Sequence, residues 1–316
     1  VTITLHPLRW ANAPDNYSPK WIVENVWQGD GVNFLFGPPK HGRKSSLRRY
    51  LLACALTGTP AFDTFEVRRT LQNPLLLIIE DHPGTEKYWI RRSLRAMGFH
   101  GEPTMSFLTV PGFHLDARPH LDALIKLVEA EGHDFVSIDP LVNFHGKDEN
   151  DNSAMGQVTG ALHYLRQFCG VSVIHHNTKP SDSGGFSQRT TGQRMRGGGV
   201  LGGAANVTIE SRPAGPHRVK LSFEVKTPSG DTPDTLEVAW NRETGLWGAE
   251  TAFGEDVVLA AVARQPGLTR DELVSAVGRN RQKTLQYVSQ LLDADLLRER
   301  NSVPNGGQLY CANVAS

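Results

Sequence analysis

The chain has 316 residues, 39% of them hydrophobic, with 33 basic and 33 acidic side chains and a formal net charge of zero. That is enough apolar material for one large α/β domain, or for a domain of about 250 residues plus a small module. A balanced charge excludes global steering toward nucleic acid, so any such contact comes from local patches.

In chain order, residues 1–30 read as an N-terminal arm that ends in "WIVENVW". "GVNFLFG" (31–37) reads as a buried strand that runs into a glycine-rich loop, and "SSLRRYLLACALTG" (45–58) as a helix with Leu47, Leu51, Leu52 and Ala55 at helical spacing. "PLLLIIED" (74–81) is an unbroken apolar run closed by two acids, the pattern of a parallel strand covered on both faces. "TEKYWIRRSLRAMGF" (85–99) predicts an amphipathic helix, "MSFLTV" (105–110) a strand, and "HLDALIKLVEAEG" (120–132) a helix stopped by Gly132. "DFVSIDP" (134–140) is again a strand ending in an acid, followed by a helix over 155–170 and a strand, "VSVIHHN" (171–177), that ends in two histidines. A Ser/Gly/Arg-rich loop (181–199) leads into three segments, 204–212, 219–227 and 234–240, that read as an antiparallel extension. Strands alternate with helices, and polar residues gather at the strand C-termini. The fold class is therefore α/β with a mostly parallel sheet and a ligand crevice at the strand ends.

The pattern changes at residue 253. Three short helices, the second opened by a Thr269/Glu272 capping box and the third by Asn280, precede two strands around Asn305-Gly306. Helix–helix–helix–hairpin is the plan of a winged helix-turn-helix module, here 253–316. Residues 31–240 are left as the main domain and 241–252 as a linker.

The sharpest local signal is "FGPPKHGRKSSL" (36–47), which is one residue away from the phosphate-binding pattern G-x-x-x-x-G-K-[ST]. Gly37 and Gly42 have the required spacing, with Pro38, Pro39, Lys40 and His41 between them. Two alignments fit. In one, Arg43 replaces the lysine and Lys44 stands where the Mg²⁺-binding hydroxyl belongs. In the other, Arg43 is an insertion and Lys44, Ser45 and Ser46 resume the pattern. The insertion reading is preferred. An extra residue inside the helix would rotate everything downstream by about 100°, whereas a bulge in the loop leaves Leu47 in register.

Acids at the ends of apolar strands complete a phosphate-transfer set. Asp139 is placed to hold Mg²⁺ and Glu80, beside Asp81, to act as general base on water. His175 and His176 lack further ligands at zinc spacing, so the reading is a γ-phosphate sensor coupled to the loop that follows. In that loop Arg189, Arg194 and Arg196 suit single-stranded DNA, with Arg194 or Arg196 as an arginine finger into a neighbour's site. The bland alternative is a plain surface loop. Lys226 is a further candidate acting in trans. In the C-terminal module Arg279, Arg281 and Lys283 begin the third helix with no acid among them, which suits duplex DNA, although many such modules bind protein instead.

Taken in order, "GPPKHGRKSSL", "LLLIIED", "FVSIDPL…GKDENDN", "VIHHNTKP" and "RMRGGGVLGGAANVTI" resemble the RecA-like AAA ATPases that include the RepA-type plasmid replicative helicases, over about residues 20–240. The resemblance implies a hexameric ring that hydrolyses ATP with Mg²⁺ at subunit interfaces and moves on single-stranded DNA. It makes Lys44 the phosphate lysine, Ser45 the Mg²⁺ hydroxyl, Asp139 the second Mg²⁺ group, Glu80 the catalytic acid, His176 the sensor and Arg196 an interface arginine. Arg43 is the departure from the family pattern. The expected function is an ATP-dependent DNA motor, a replicative helicase of a plasmid, phage or integrated element. The rivals are a non-motor DNA-binding regulator or initiator with a degenerate nucleotide site, and a RecA-style recombination ATPase. Three cysteines far apart in sequence, no leader and no run of the ~18 apolar residues a membrane span needs set the expectation of a cytoplasmic protein without a membrane partner.

Overall fold

The computed structural model describes residues 18–149, 151–177, 191–195, 198–230, 232–249, 255–277, 281–300 and 307–312. The chain divides into two units, Val1–Ala249 and Glu250–Ser316.

In the first unit a nine-stranded sheet is built around β3 (Val32–Gly37), all six residues of which are buried. Its parallel neighbours are β8 (Val207–Gly215) on one side and β7 (Gly170–His176) on the other. Beyond β7 come β6 (Phe135–Asp139), β4 (Pro74–Ile78) and the edge strand β5 (Ser106–Leu108), all parallel. Beyond β8 the sheet turns antiparallel, through β9 (Arg218–Val225), β10 (Thr235–Trp240) and β11 (Trp247–Ala249).

The parallel strands carry apolar side chains on both faces, which is why their sequences run apolar without alternation. β3 sends Leu35 to one face, where it joins α1 (Lys44–Thr57) and α2 (Pro83–Ala96) through Leu51 and Ile90. It sends Phe34 and Phe36 to the other, against α3 (Arg118–Glu131) and α4 (Asn152–Leu165) through Leu124 and Val158. Local chemistry sets the helix ends. Gly58 and Gly132 close α1 and α3 in the left-handed region, at φ 79 and 68. Pro83 opens α2, and the Asp151 carboxylate caps α4 by accepting from the Ser153 and Ala154 amides at 2.8 and 3.2 Å.

Three boundaries differ from those read in the sequence. The segment placed in an arm contains β1 (Trp21–Val23) and β2 (Trp27–Gln28), an antiparallel pair whose tryptophans are buried in the α1-side core. The segment placed in a linker contains β11, which pairs with β10 and buries Trp247. Within the Ser/Gly/Arg-rich loop Thr191–Arg194 (α5) is helical, and Gly198–Ala204 (α6) is a helix that runs from its end into the first residue of the segment read as a strand. Fully buried Leu201 anchors α6, and tertiary packing overrides the roughly 1 kcal/mol that each glycine costs a helix.

The second unit holds α7 (Glu255–Arg264), β12 (Leu268–Thr269), α8 (Arg270–Val277), α9 (Arg281–Asp293), β13 (Leu297–Arg300) and β14 (Gln308–Cys311). Its sheet has the order β12-β14-β13, so a two-residue strand between the first two helices joins the expected hairpin. Val258, Val262, Leu273, Val288 and Leu291 form its core. The capping box is made: the Thr269 amide donates to Glu272 Oε2 at 2.8 Å and the Glu272 amide to Thr269 Oγ1 at 3.3 Å. Among the described residues no helix is long and apolar enough to cross a membrane.

Candidate nucleotide site

The site lies at the C-terminal ends of the parallel strands. β3 ends at Gly37, in register with His176 of β7, and β4 ends at Ile78 in register with Asp139 of β6. Strand alternation turns Asp139 and His176 to the same face, the one covered by α1, and the bend that follows β4 brings Glu80 and Asp81 beside them. Together with Lys40, Arg43, Lys44 and Ser45 they line a cavity of about 470 Å³.

The loop from Gly37 to Arg43 is compact. The Gly42 amide donates to Pro38 O at 3.1 Å, and Ser211 Oγ on β8 donates to Gly42 O at 2.7 Å. Both glycines are required by close approach: a Cβ on Gly37 would run into the Ser211 carbonyl, and one on Gly42 would sit 2.9 Å from Pro38 O. Lys40 and Arg43 take left-handed backbone, at φ 59 and 49, a conformation that costs a non-glycine residue on the order of 1 kcal/mol. Arg43 is the N-cap of α1, without a side-chain cap bond, and Lys44 is the first helical residue. Arg43 thus belongs to the loop backbone and Lys44 to the helix. Lys44, Ser45 and Ser46 occupy the first turn, where amide groups and the helix dipole favour an anion.

Lys44 is buried, and its Nζ donates to Gly37 O at 3.0 Å and Pro38 O at 3.1 Å. Burial lowers its pKa to about 8, against the raising pull of Asp139 and Glu80. Asp139 is buried, and burial raises its pKa, while Arg48 and a hydrogen bond from Ser45 pull the other way. Glu80 is exposed and accepts from Asn143 Nδ2 at 3.2 Å.

A second group of residues was not singled out in the sequence. Arg48 is fully buried and pairs with Glu86 of α2 at 2.5 Å and with Asp139 at 3.3 Å. Arg49 pairs with Asp81 and, at 2.6 Å, with Glu86. Burial alone would lift the Glu86 carboxyl; Arg48 and Arg49 outweigh it and hold the group below the usual range. Tandem arginines one turn beyond Lys44, on a helix with an otherwise apolar buried side, were the available signal. Trp247 is also new to the site, its Nε1 donating to Ser46 Oγ at 3.1 Å.

The other singled-out residues are dispersed. His175 is fully buried on the opposite face, 3.6 Å from Glu149. Arg194 pairs with buried Glu210 at 2.8 Å, a carboxylate that also takes Arg212 and Asn177, so its charge is engaged within the chain. Lys226 follows β9 at the opposite end of the sheet, since Val225 pairs with Val207 at the start of β8, and its Nζ donates to Gly203 O at 2.5 Å. Arg281 opens α9 and pairs with Asp271 at 2.7 Å, both exposed. Arg189, Arg196, Arg279 and the side chain of Lys283 lie outside the described residues.

A mostly parallel sheet with a glycine loop between its central strand and a helix, and with acids at neighbouring strand ends, defines a P-loop nucleotide-binding core. The chain matches the family described as an AAA domain over residues 5–182, more than half its length, and belongs to that family. It is accordingly a nucleotide-binding ATPase of AAA type, and the family implies a nucleotide and usually Mg²⁺. The residues fit both. Among the described residues the buried Lys44 ammonium donates to carbonyl oxygens alone, which stand where phosphate oxygens would, and Ser45 and Asp139 adjoin as oxygen donors.

Proposed function

We propose that the chain is an ATP-driven motor on single-stranded DNA, a hexameric replicative helicase of a plasmid, phage or integrated element. The observation that carries the reading is the convergence of Lys44, Ser45, Glu80, Asp139 and His176 on one cavity. Lys44 exchanges the Gly37 and Pro38 carbonyls for phosphate oxygens, and the first-turn amides of α1 add their share of positive potential. Ser45 and Asp139 would hold Mg²⁺, which when bound supplies further positive charge against the phosphates. Glu80, oriented by Asn143, takes the proton of the attacking water. His176, next to Gly37 in the sheet, senses whether the terminal phosphate is in place. The described elements of residues 255–312 support a winged helix-turn-helix, with α9 as the helix offered to duplex DNA or protein.

Mg²⁺-ATP turnover is expected to rise with single-stranded DNA, and light scattering to detect a nucleotide-dependent ring. Glu80→Gln is expected to abolish turnover and spare nucleotide binding; undiminished turnover in that variant would remove Glu80 from the mechanism. A non-motor binder is the second reading, favoured by Arg43 and by the internal pairing of Arg194. It predicts a monomer with duplex affinity and no stimulation.

A further inference from the structure

The family pattern has no residue where Arg43 stands, and this chain gives that residue a defined position. Its guanidinium carbon lies 5.1 Å from the centroid of the Trp240 ring, at the end of β10, while the same residue lines the nucleotide cavity with Lys40, Lys44 and Ser45. Three carboxylates, Glu80, Asp81 and Asp139, line that cavity too. Among the described residues none of them pairs with Arg43; Asp81 and Asp139 are taken by Arg49 and Arg48. Arg43 is thus a cation at a phosphate site that, among the described residues, rests on an aromatic face and pairs with no carboxylate.

Trp240 is well fixed beneath it. Its ring stacks on Trp247 at 6.2 Å and 22°, and lies 5.7 Å from Trp89 and 5.9 Å from His217. Trp247 is itself tied to the first turn of α1 through Ser46. The platform is anchored to the loop it serves, so the guanidinium can leave while the ring stays.

A cation–π contact of a half-exposed arginine is weaker than a charge-assisted, bidentate bond between guanidinium and phosphate. Within reach of both, the side chain goes to phosphate. We propose that Arg43 is a phosphate ligand with two partners: the Trp240 ring, on which it rests here, and the polyphosphate of a nucleotide, to which it transfers. The inserted residue then adds a second cation beside Lys44, supplied by the same chain, and Trp240 reports on its position. This inference rests on the reading of the cavity as a nucleotide site.

The test uses the full chain and inorganic tripolyphosphate with Mg²⁺, followed by tryptophan emission and by calorimetry, with adenosine and ADP titrated separately. Tripolyphosphate is expected to give a saturable emission change that is absent from Trp240→Phe and from Arg43→Gln. Arg43→Gln is also expected to bind tripolyphosphate about 10- to 100-fold more weakly, the loss of hydrogen bonds to a charged group. A thermal melt matching the wild type shows that this variant is folded, and Arg43→Lys, which keeps charge without the bidentate fork, should recover part of the affinity. Equal affinity of the wild type and Arg43→Gln would overturn the proposal and leave the nucleotide site standing, provided ADP still binds. An emission change produced by adenosine and not by tripolyphosphate would also overturn it, making the Arg43–Trp240 pair a base platform. Failure of the wild type to bind either ADP or tripolyphosphate would overturn the nucleotide reading and this inference together.

Discussion

Replacing Arg48 by methionine removes a fully buried guanidinium from between Glu86 and Asp139 and leaves Asp139 without its ion-pair partner and Glu86 with Arg49 alone. Breaking a buried ion pair by deleting one partner costs about 3–5 kcal/mol, because the survivor stays desolvated. Here Arg49 still holds Glu86 at 2.6 Å, so the low end applies, about 3 kcal/mol. In a unit of this size each kcal/mol shifts Tm by roughly 2–4 °C, so a fall of about 6–12 °C is expected. Replacing Glu86 by methionine in the same chain removes one of the two carboxylates, Asp139 remaining, and should return about half of the loss, since an apolar pair of similar volume is tolerated where an ion pair stood. Denaturant unfolding of the wild type, Arg48→Met, Glu86→Met and the double variant closes the cycle. A single-variant loss below about 1 kcal/mol, or a double-variant loss equal to the sum of the two singles, would refute the assignment of Arg48 as the buried counter-ion of both acids.

Three further outcomes follow from the site and its surroundings. Lys44, with its pKa lowered by burial to about 8, is protonated at neutral pH and neutral above that value; bound phosphate favours the protonated form, so nucleotide affinity should fall as pH rises through about 8, and calorimetry showing no decline between pH 7 and 9 would separate Lys44 from the phosphates. Gly37→Ala should abolish nucleotide binding, because its methyl group would displace the Ser211 carbonyl and open the loop, and an unchanged Kd for ADP would contradict the close approach. Thr269→Ala removes the cap of α8 and should destabilise that helix by about 1 kcal/mol, read as faster hydrogen exchange in its first turn; unaltered exchange would show the capping box to be inert.

Much of the first unit was legible because its strands are buried on both faces, which leaves long apolar runs such as "PLLLIIED" that few other structures explain. The acids that close those runs, Glu80 and Asp139, fall into one cavity because β4 and β6 are parallel neighbours that end side by side, Ile78 against Asp139. What was not legible depended on tertiary partners. The hairpin from Trp21 to Gln28 is too short to show a strand period, and its tryptophans are recognisable as core only once α1 lies over them. β11 has three residues and exists through pairing with β10. Arg48 reads as a solvent-facing charge until Glu86, 38 residues on, is brought to 2.5 Å. His175 and His176 are adjacent in sequence and alternate in the strand, so one meets Glu149 in the core and the other meets the cavity.

On the proposed reading Lys44, with Arg43 ahead of it in the loop, serves a working ATP site whose turnover single-stranded DNA stimulates. Steady-state ATP hydrolysis by the wild type, Lys44→Ala and a chain lacking Arg43, each with and without single-stranded DNA, addresses it most directly. The account predicts DNA-stimulated turnover in the wild type and none in Lys44→Ala. Turnover found only after deletion of Arg43 would contradict it, marking the loop as disabled by its extra residue.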